Sequence, residues 1–382
     1  MQRVLIAHQS TIPHYRVPFY NALELLKPNS WNFDVVFDPS ELTSPRFFSE
    51  PLKRADFDFS VLETKTRLIR VFGKKVAYQT FWSKASQYDL VVVENAVNNL
   101  TYPLCQLHQL RGVKLAYWGH GKDHSFEGNR GFKLITEQLK LRLAQKADGF
   151  FAYTGGGRDY LIEQGLAPQK VFVLNNTIDI QHQRTIFEKY FSEREVIRQS
   201  LGLANRRVLL FVGRFTANKR LDLLLNSFSL LRRYSDEYHL ILVGDGHLPG
   251  SLIPEQGVLH LGSVVDLDQL GPLYVASDLF VFPGSVGLGP LQALCYDLPI
   301  LTIDSSTHMP EFEYLNPANS IVLPPGTSPQ DYAHAINALF ENHEQHKRLR
   351  CDTWPSICHL TIEQMASHFI EGVNAILTNT EL

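Results

Sequence analysis

Short apolar runs rich in β-branched residues alternate with longer stretches of helical period along this chain. Such alternation builds parallel sheets, because each parallel strand must be reached by a crossover that covers a sheet face. In the first half the runs fall at 3–7, 33–37, 90–94, 113–117, 149–153 and 171–174. Residues 132–147 carry Leu134, Leu139, Leu141 and Leu143 among basic residues and predict a helix leading into the strand at Gly149. The stretch 180–200, from Gln181-His182-Gln183-Arg184 to Arg198-Gln199-Ser200, is polar and predicts a connecting segment. The alternation resumes at Val208–Val212, with further strands at 239–243, 258–261, 279–282, 299–303 and 320–323. After the first of these, Leu221, Leu224, Leu225, Phe228 and Leu231 recur at i, i+3, i+4, i+7 and i+10, one face of a helix. Ser328-Pro329 supplies an N-cap and first turn for a helix over 329–342. A last helix carries Ile362, Met365, Phe369, Val373 and Ile376 on one face. The simplest assembly is an α/β chain of two Rossmann-like domains facing a cleft, with ligands at the carboxyl ends of the strands.

Composition narrows the function classes. A length of 382 residues supports two domains, each able to bury a full core. With 44% hydrophobic and 20% charged residues, intrinsic disorder, fibrous repeats and disulfide scaffolds are excluded. A net charge of −3 argues against bulk nucleic-acid binding. No apolar run approaches the roughly 18 residues of a membrane span. Val4–Ala7 is too brief for a signal-peptide core, so a cytoplasmic protein is expected. Cys105, Cys295, Cys351 and Cys358 lack zinc or redox spacing and read as reduced, mostly buried thiols.

Three segments join a strand end to a helix. In Val212-Gly213-Arg214-Phe215-Thr216-Ala217-Asn218-Lys219-Arg220, Gly213 permits a tight turn. Arg214 and Lys219 could then reach an anion above the next helix N-terminus, a fit for a diphosphate. A solvated basic loop is the plainer alternative. In Phe282-Pro283-Gly284-Ser285-Val286-Gly287-Leu288-Gly289-Pro290-Leu291-Gln292, glycines open the backbone to a sugar or phosphate, and Gln292 could bond a vicinal diol. Ordinary turn chemistry accounts for the same glycines. Val243-Gly244-Asp245-Gly246-His247-Leu248 resembles part of a dinucleotide fingerprint, but its third glycine is misplaced. No strand-end acid lies about twenty residues on, Asp268 preceding a helix instead.

Together these residues resemble glycosyltransferase family 4, of GT-B architecture, most densely over 206–325. Val212-Gly-Arg-Phe…Lys219, Leu242-Val-Gly-Asp-Gly246, Ala276-Ser-Asp-Leu-Phe-Val-Phe-Pro283, Pro310-Glu311 and Asn319–Val322 match its donor-side motifs. Leu174-Asn175-Asn176-Thr177-Ile178-Asp179 is similar to its Asn-Gly-Ile-Asp segment. Tyr117-Trp118-Gly119-His120-Gly121 and Ile12-Pro13-His14-Tyr15-Arg16-Val17-Pro18 resemble a subgroup of polysaccharide and lipid-sugar transferases. The resemblance implies an acceptor-binding domain over 1–190 plus 358–382, the final helix crossing back to it. A nucleotide-sugar-binding domain would span 191–357. It further implies retaining transfer of a hexose-type sugar to a glycan, lipid or lipid-linked acceptor, without metal or cofactor, the nucleotide diphosphate sugar being substrate. Arg214 and Lys219 would stabilise the departing diphosphate, and His120 would sit across the cleft near the sugar; a histidine closing a strand-end turn is the alternative. Gly213, Gly284, Ser285, Val286, Gly287, Leu288 and Gln292 would line the donor, with His14, Tyr15 and Arg16 on the acceptor side.

One departure bears on the donor. The family pattern is Glu-x7-Glu, whereas Gly284 and Gln292 stand at the two positions here. Gln292 can still bond a ribose diol, through neutral bonds roughly half as strong as charge-assisted ones. At Gly284, Ser285 and the N–H groups of Val286, Gly287 and Leu288 are the substitutes. From Lys65 to Lys84 there are six basic residues and no acid, with Leu68, Ile69, Val71, Phe72, Phe81 and Trp82 interleaved. This suits an anionic membrane surface or lipid diphosphate; a solvated helix face with a buried side is the plainer alternative. The rival functions are a sugar-nucleotide 2-epimerase and a catalytically silent GT-B binding module.

Overall fold

The computed structural model describes residues 1–7, 12–39, 52–71, 74–122, 130–246 and 256–378. The chain divides into two compact units, Met1–Asn176 with Ile362–Leu382, and Thr177–Thr361.

The first unit begins β1 (Gln2–Ala7), α1 (Val17–Leu26), β2 (Trp31–Phe37) and β3 (Val61–Glu63). A hairpin of β4 (Thr66–Val71) and β5 (Lys74–Gln79) follows, then α2 (Trp82–Ala85), β6 (Leu90–Glu94) and α3 (Thr101–Leu104). A 3-10 turn, Cys105–Arg111, leads to β7 (Lys114–Gly119) and α4 (Arg130–Lys146). β8 (Gly149–Ala152), α5 (Gly155–Glu163) and β9 (Val171–Val173) close this passage. Seven strands form a parallel sheet in the order β3-β2-β1-β6-β7-β8-β9. Both faces are covered, so Val4–Ala7 and Leu90–Val93 are buried without alternation. Val4, Ile6 and Trp118 pack with Phe19 and Leu23 of α1. Leu5, Val91 and Phe150 face the other way, toward Phe81, Tyr102, Ala144 and Leu161.

The second unit opens with α6 (Ile180–Phe191) and α7 (Arg194–Ser200). It continues through β10 (Arg207–Val212), α8 (Leu221–Tyr234), β11 (Tyr238–Val243) and β12 (Val258–His260). Then come α9 (Leu267–Ala276), β13 (Leu279–Phe282), α10 (Gly289–Leu294) and β14 (Ile300–Ile303). β15 (Ser320–Leu323), α11 (Pro329–Glu341) and α12 (His343–Ile357) complete it. Its six-stranded parallel sheet runs β12-β11-β10-β13-β14-β15, so strand order reverses at β10. Such a switch point is where open α/β sheets place ligands. Finally α13 (Ile362–Thr378) returns to the first unit and buries the five predicted apolar residues. The Phe369 ring stacks 4.5 Å from Phe151 and lies 5.3 Å from Trp118.

Several expectations are corrected. Residues 180–200 are two helices, α6 and α7, packed on α9, not a connector. Ile180, Gln183, Ile186 and Phe187 form the buried face of α6, and the Asp179 carboxylate caps it by accepting from the His182 N–H at 2.9 Å. The divide therefore falls after Asn176 and after Thr361, where the sequence reading put it near 190 and at 358. Cys105 and Cys295 are buried, but Cys351 and Cys358 are exposed. No described helix is long and apolar enough to cross a membrane.

Candidate functional site

Three loops meet at the switch point of the second sheet. The segment after β10 turns through Ala217–Lys219 and enters α8 with no side-chain cap on the helix N-terminus. Lys219 is half-buried: its ammonium donates to the Ser285 carbonyl at 2.5 Å and stands 4.9 Å from the Phe282 ring centroid. Burial, reinforced by the Arg214 charge, pushes this ammonium down to about 8. Arg214 is exposed. Neither cation has an ion pair among the described residues.

The loop after β11 explains the Gly244-Asp245-Gly246 sequence. A Cβ on Gly244 would lie 1.9 Å from the Gly213 carbonyl oxygen, and one on Gly246 2.5 Å from that of Phe215. These glycines let one strand-end loop lie directly on the other, and the Phe215 N–H donates to the Asp245 carbonyl at 2.8 Å. The motif thus braces the Arg214 loop from behind. His247 and Leu248 fall outside the described residues.

The third loop, after β13, packs against the first. A Cβ on Gly284 would meet the Asn218 carbonyl oxygen at 2.3 Å and Lys219 Cα at 2.4 Å. The turn that presents Lys219 thus closes position 284 to any side chain. The Ser285 N–H donates to Asn218 O at 2.8 Å, and its hydroxyl to Thr307 O. Ser285 is therefore committed to the scaffold. So is the Val286 N–H, expected to face the donor, which donates to His308 Nδ1 at 2.9 Å. His308 Nε2 in turn donates to Ile303 O at 2.9 Å, fixing the ring's tautomer. The Gly287 and Leu288 N–H groups have no acceptor among the described residues. Gln292 donates through Nε2 to Gln183 Oε1 at 3.1 Å, an oxygen that also accepts from Tyr296 at 2.9 Å. Its Oε1 has no donor among the described residues. Sequence reasoning missed His308, Thr307 and Gln183; only position after a strand, or inside a polar helix, could have signalled them.

In the first unit, His120 follows β7 and stands edge-to-face with Tyr153, ring centroids 4.5 Å apart. It lines a cavity of about 290 Å³ walled by residues 94–98, 119–122 and Tyr153, with Thr136 and Lys140 of α4. The short turn His14–Arg16 precedes α1. His14 is exposed and Tyr15 half-buried, but Arg16 is 1% exposed and cannot meet an acceptor. Its guanidinium donates to Asn176 Oδ1 at 2.8 Å and to the Met365 sulfur at 3.6 Å, and lies 5.4 Å from the Trp118 ring centroid. It ties α1, β7 and α13 together. Residues 65–84 form the β4–β5 hairpin and α2, not a helix face. Arg67, Leu68, Arg70 and Lys75 are exposed, Phe81 is buried and Phe72 lies outside the described residues. No group of three or more His, Cys, Asp or Glu among the described residues could hold a metal ion.

Residues 206–342, containing the three loops, match the family model described as glycosyl transferases group 1. No curated protein matches the sequence. Among solved structures, HepE of Anabaena in complex with UDP aligns with a TM-score of 0.69 at 16% identity, covering 98% of this chain and 100% of that one. A glycosyltransferase from Rickettsia africae aligns at 0.69 and 13%, covering 99% and 100%. A protein assigned as UDP-N-acetylglucosamine 2-epimerase from Listeria monocytogenes aligns at 0.63 and 14%, covering 100% and 98%. At such identities the likeness establishes the fold, the two parallel-sheet α/β domains of GT-B architecture.

Proposed function

We propose that this chain transfers a hexose-type sugar from a nucleotide diphosphate sugar to a glycan, lipid or lipid-linked acceptor, with retention and without metal or cofactor. The observation that carries the reading is the desolvated Lys219 ammonium beside Arg214 at a topological switch point, both lacking a carboxylate partner among the described residues. Negative charge grows on the leaving diphosphate in the transition state, where preorganised cations act most strongly. The Gly287 and Leu288 N–H groups extend the cradle, and Gly213 lets the chain turn beneath it. Gln292 Oε1 accepts from a ribose hydroxyl. His120 positions a sugar hydroxyl, with His14 and Tyr15 toward the acceptor. Gly284 leaves the sugar's hydroxyls to backbone groups. The exposed cations of the β4–β5 hairpin supply attraction to an anionic surface.

UDP is the first donor nucleotide to test, since the similar HepE structures contain UDP and UDP-glucose. Thermal unfolding with UDP, GDP, ADP and NAD should show stabilisation by a nucleoside diphosphate. Stabilisation by NAD alone would overturn the reading. Arg214→Ala and Lys219→Ala should each lower kcat/KM by about a hundredfold or more; wild-type values in both would remove the diphosphate assignment. The Listeria likeness favours one rival: acceptor-independent epimerisation of a UDP-sugar would replace transfer. Nucleotide binding without turnover on any acceptor would leave a binding module.

A further inference from the structure

We infer that the outer stripe of α4, with the Cys105–Arg111 turn tied to it, is the surface by which this chain lies on an anionic lipid bilayer. At 100° per residue, Ile135, Leu139, Arg142 and Lys146 fall within a stripe about 60° wide. Ile135 is 66% exposed and Leu139 45%; Leu134, beside them, is 64% exposed. Arg142 and Lys146 are exposed at the C-terminal end of the stripe. The helix has one acid, Glu137, and it points inward, accepting from the Tyr160 hydroxyl at 3.1 Å and pairing with Lys140 at 3.6 Å. The Cys105–Arg111 turn is fastened alongside: Gln106 Nε2 donates to Leu143 O at 2.6 Å and Gln109 Nε2 to Lys146 O at 3.1 Å. Its three-residue repeat leaves Leu107 and Leu110 on an adjoining side, 52% and 87% exposed. Five of the fifteen large apolar residues exposed among the described residues thus belong to these two elements.

Charge decides what covers them. A symmetric dimer through this stripe would bring two sets of Arg142 and Lys146 into one interface, and neither α4 nor the Cys105–Arg111 turn supplies an exposed acid to offset them. Anionic headgroups neutralise the same cations while the leucines and isoleucine enter the acyl boundary, the mode of interfacial amphipathic helices. The β4–β5 hairpin carries comparable charge, but Leu68 is its one large apolar side chain that is exposed among the described residues, so it adds attraction without insertion. The inference does not depend on the transferase reading.

The full chain should cosediment with phosphatidylcholine vesicles containing phosphatidylglycerol, not with phosphatidylcholine alone, and less so at high salt. Ile135→Gln with Leu139→Gln should weaken binding about tenfold or more. Arg142→Gln with Lys146→Gln should weaken it about 25-fold, about fivefold per cation. Both pairs are solvent-facing, so thermal unfolding should stay at the wild-type temperature. Absence of vesicle binding by the wild type would overturn the inference. So would undiminished binding by both α4 pairs while Arg67→Gln, Arg70→Gln and Lys75→Gln together abolish it. Sedimentation velocity showing a dimer that the Ile135/Leu139 pair dissociates would overturn it in favour of self-association.

Discussion

Nucleotide affinity measured between pH 7 and pH 9 reads the Lys219 ammonium directly, because burial and the Arg214 charge push it down to about 8. A bound diphosphate restores the preference for the charged form, so binding and protonation are coupled. With a pKa near 8, roughly nine-tenths of free protein carries the ammonium at pH 7 and about one-tenth at pH 9. The apparent Kd for a nucleoside diphosphate should therefore rise about tenfold over this interval, about 1.4 kcal/mol. Titration calorimetry near pH 8.5 should also detect proton uptake, as a binding enthalpy that varies with buffer ionisation heat. Lys219→Ala should bind weakly and without this dependence. Lys219→Arg, permanently charged, should lack it too. Wild-type affinity constant from pH 7 to 9, with no proton uptake, would refute the assignment. The stability sign runs the other way. A lysine whose folded value lies below its unfolded one destabilises the free protein while charged, fully below about 8 and decreasingly up to about 10.5. Lys219→Met should accordingly raise the melting temperature of the nucleotide-free protein at pH 7.

Gly284→Glu should destabilise by about 2–4 kcal/mol and abolish nucleotide binding, since its Cβ would strike Asn218 and Lys219 backbone; denaturant unfolding and calorimetry would show both. Arg16→Ala should cost about 3–5 kcal/mol, whereas Arg16→Met, which keeps the volume where no carboxylate pairs with the guanidinium among the described residues, should cost under about 2. Equal losses would show that the charge itself matters. For Asp278, burial alone would raise the carboxyl, but Arg198, Arg194 and Arg350 outweigh it and hold it below the usual carboxylate range. Asp278→Ala should cost about 3–5 kcal/mol at pH 7 by leaving buried cations unpaired. The wild-type advantage should be full above about 4, the carboxyl's ordinary value, and decline as pH falls from there through the lowered folded value.

The strands were legible because both faces of a parallel sheet are buried, so their apolar runs are unbroken. α8 and α13 were legible because leucine, phenylalanine and isoleucine repeat at helical spacing. α6 and α7 were hidden: the buried face of α6 includes Gln183, and charges surround its few apolar positions. The β4–β5 hairpin was missed because exposed arginines and lysines obscure its alternation. At the site, the cations were legible by type and spacing. What could not be read was direction: that Arg16 turns inward to Asn176 and Met365, or that Gln292 spends its amide on Gln183. The absence of a side chain at Gly284 looked like a loss from the donor pocket. Its cause is steric, the approach of the Ala217–Lys219 turn, and a close contact between distant loops leaves no local trace.

The return of α13 to the first unit has a consequence for synthesis on the ribosome. Phe19, Trp118 and Phe151 emerge early, yet the ring that completes their packing, Phe369, is added after every residue of the second unit. The later half can finish its core while the earlier one still exposes a strip of aromatic surface, reversing the usual order of domain completion. A nascent chain of this topology needs that strip shielded until residues 362–378 arrive, and a chain released after Thr361 would join a second unit with all its residues to a sticky, unfinished first.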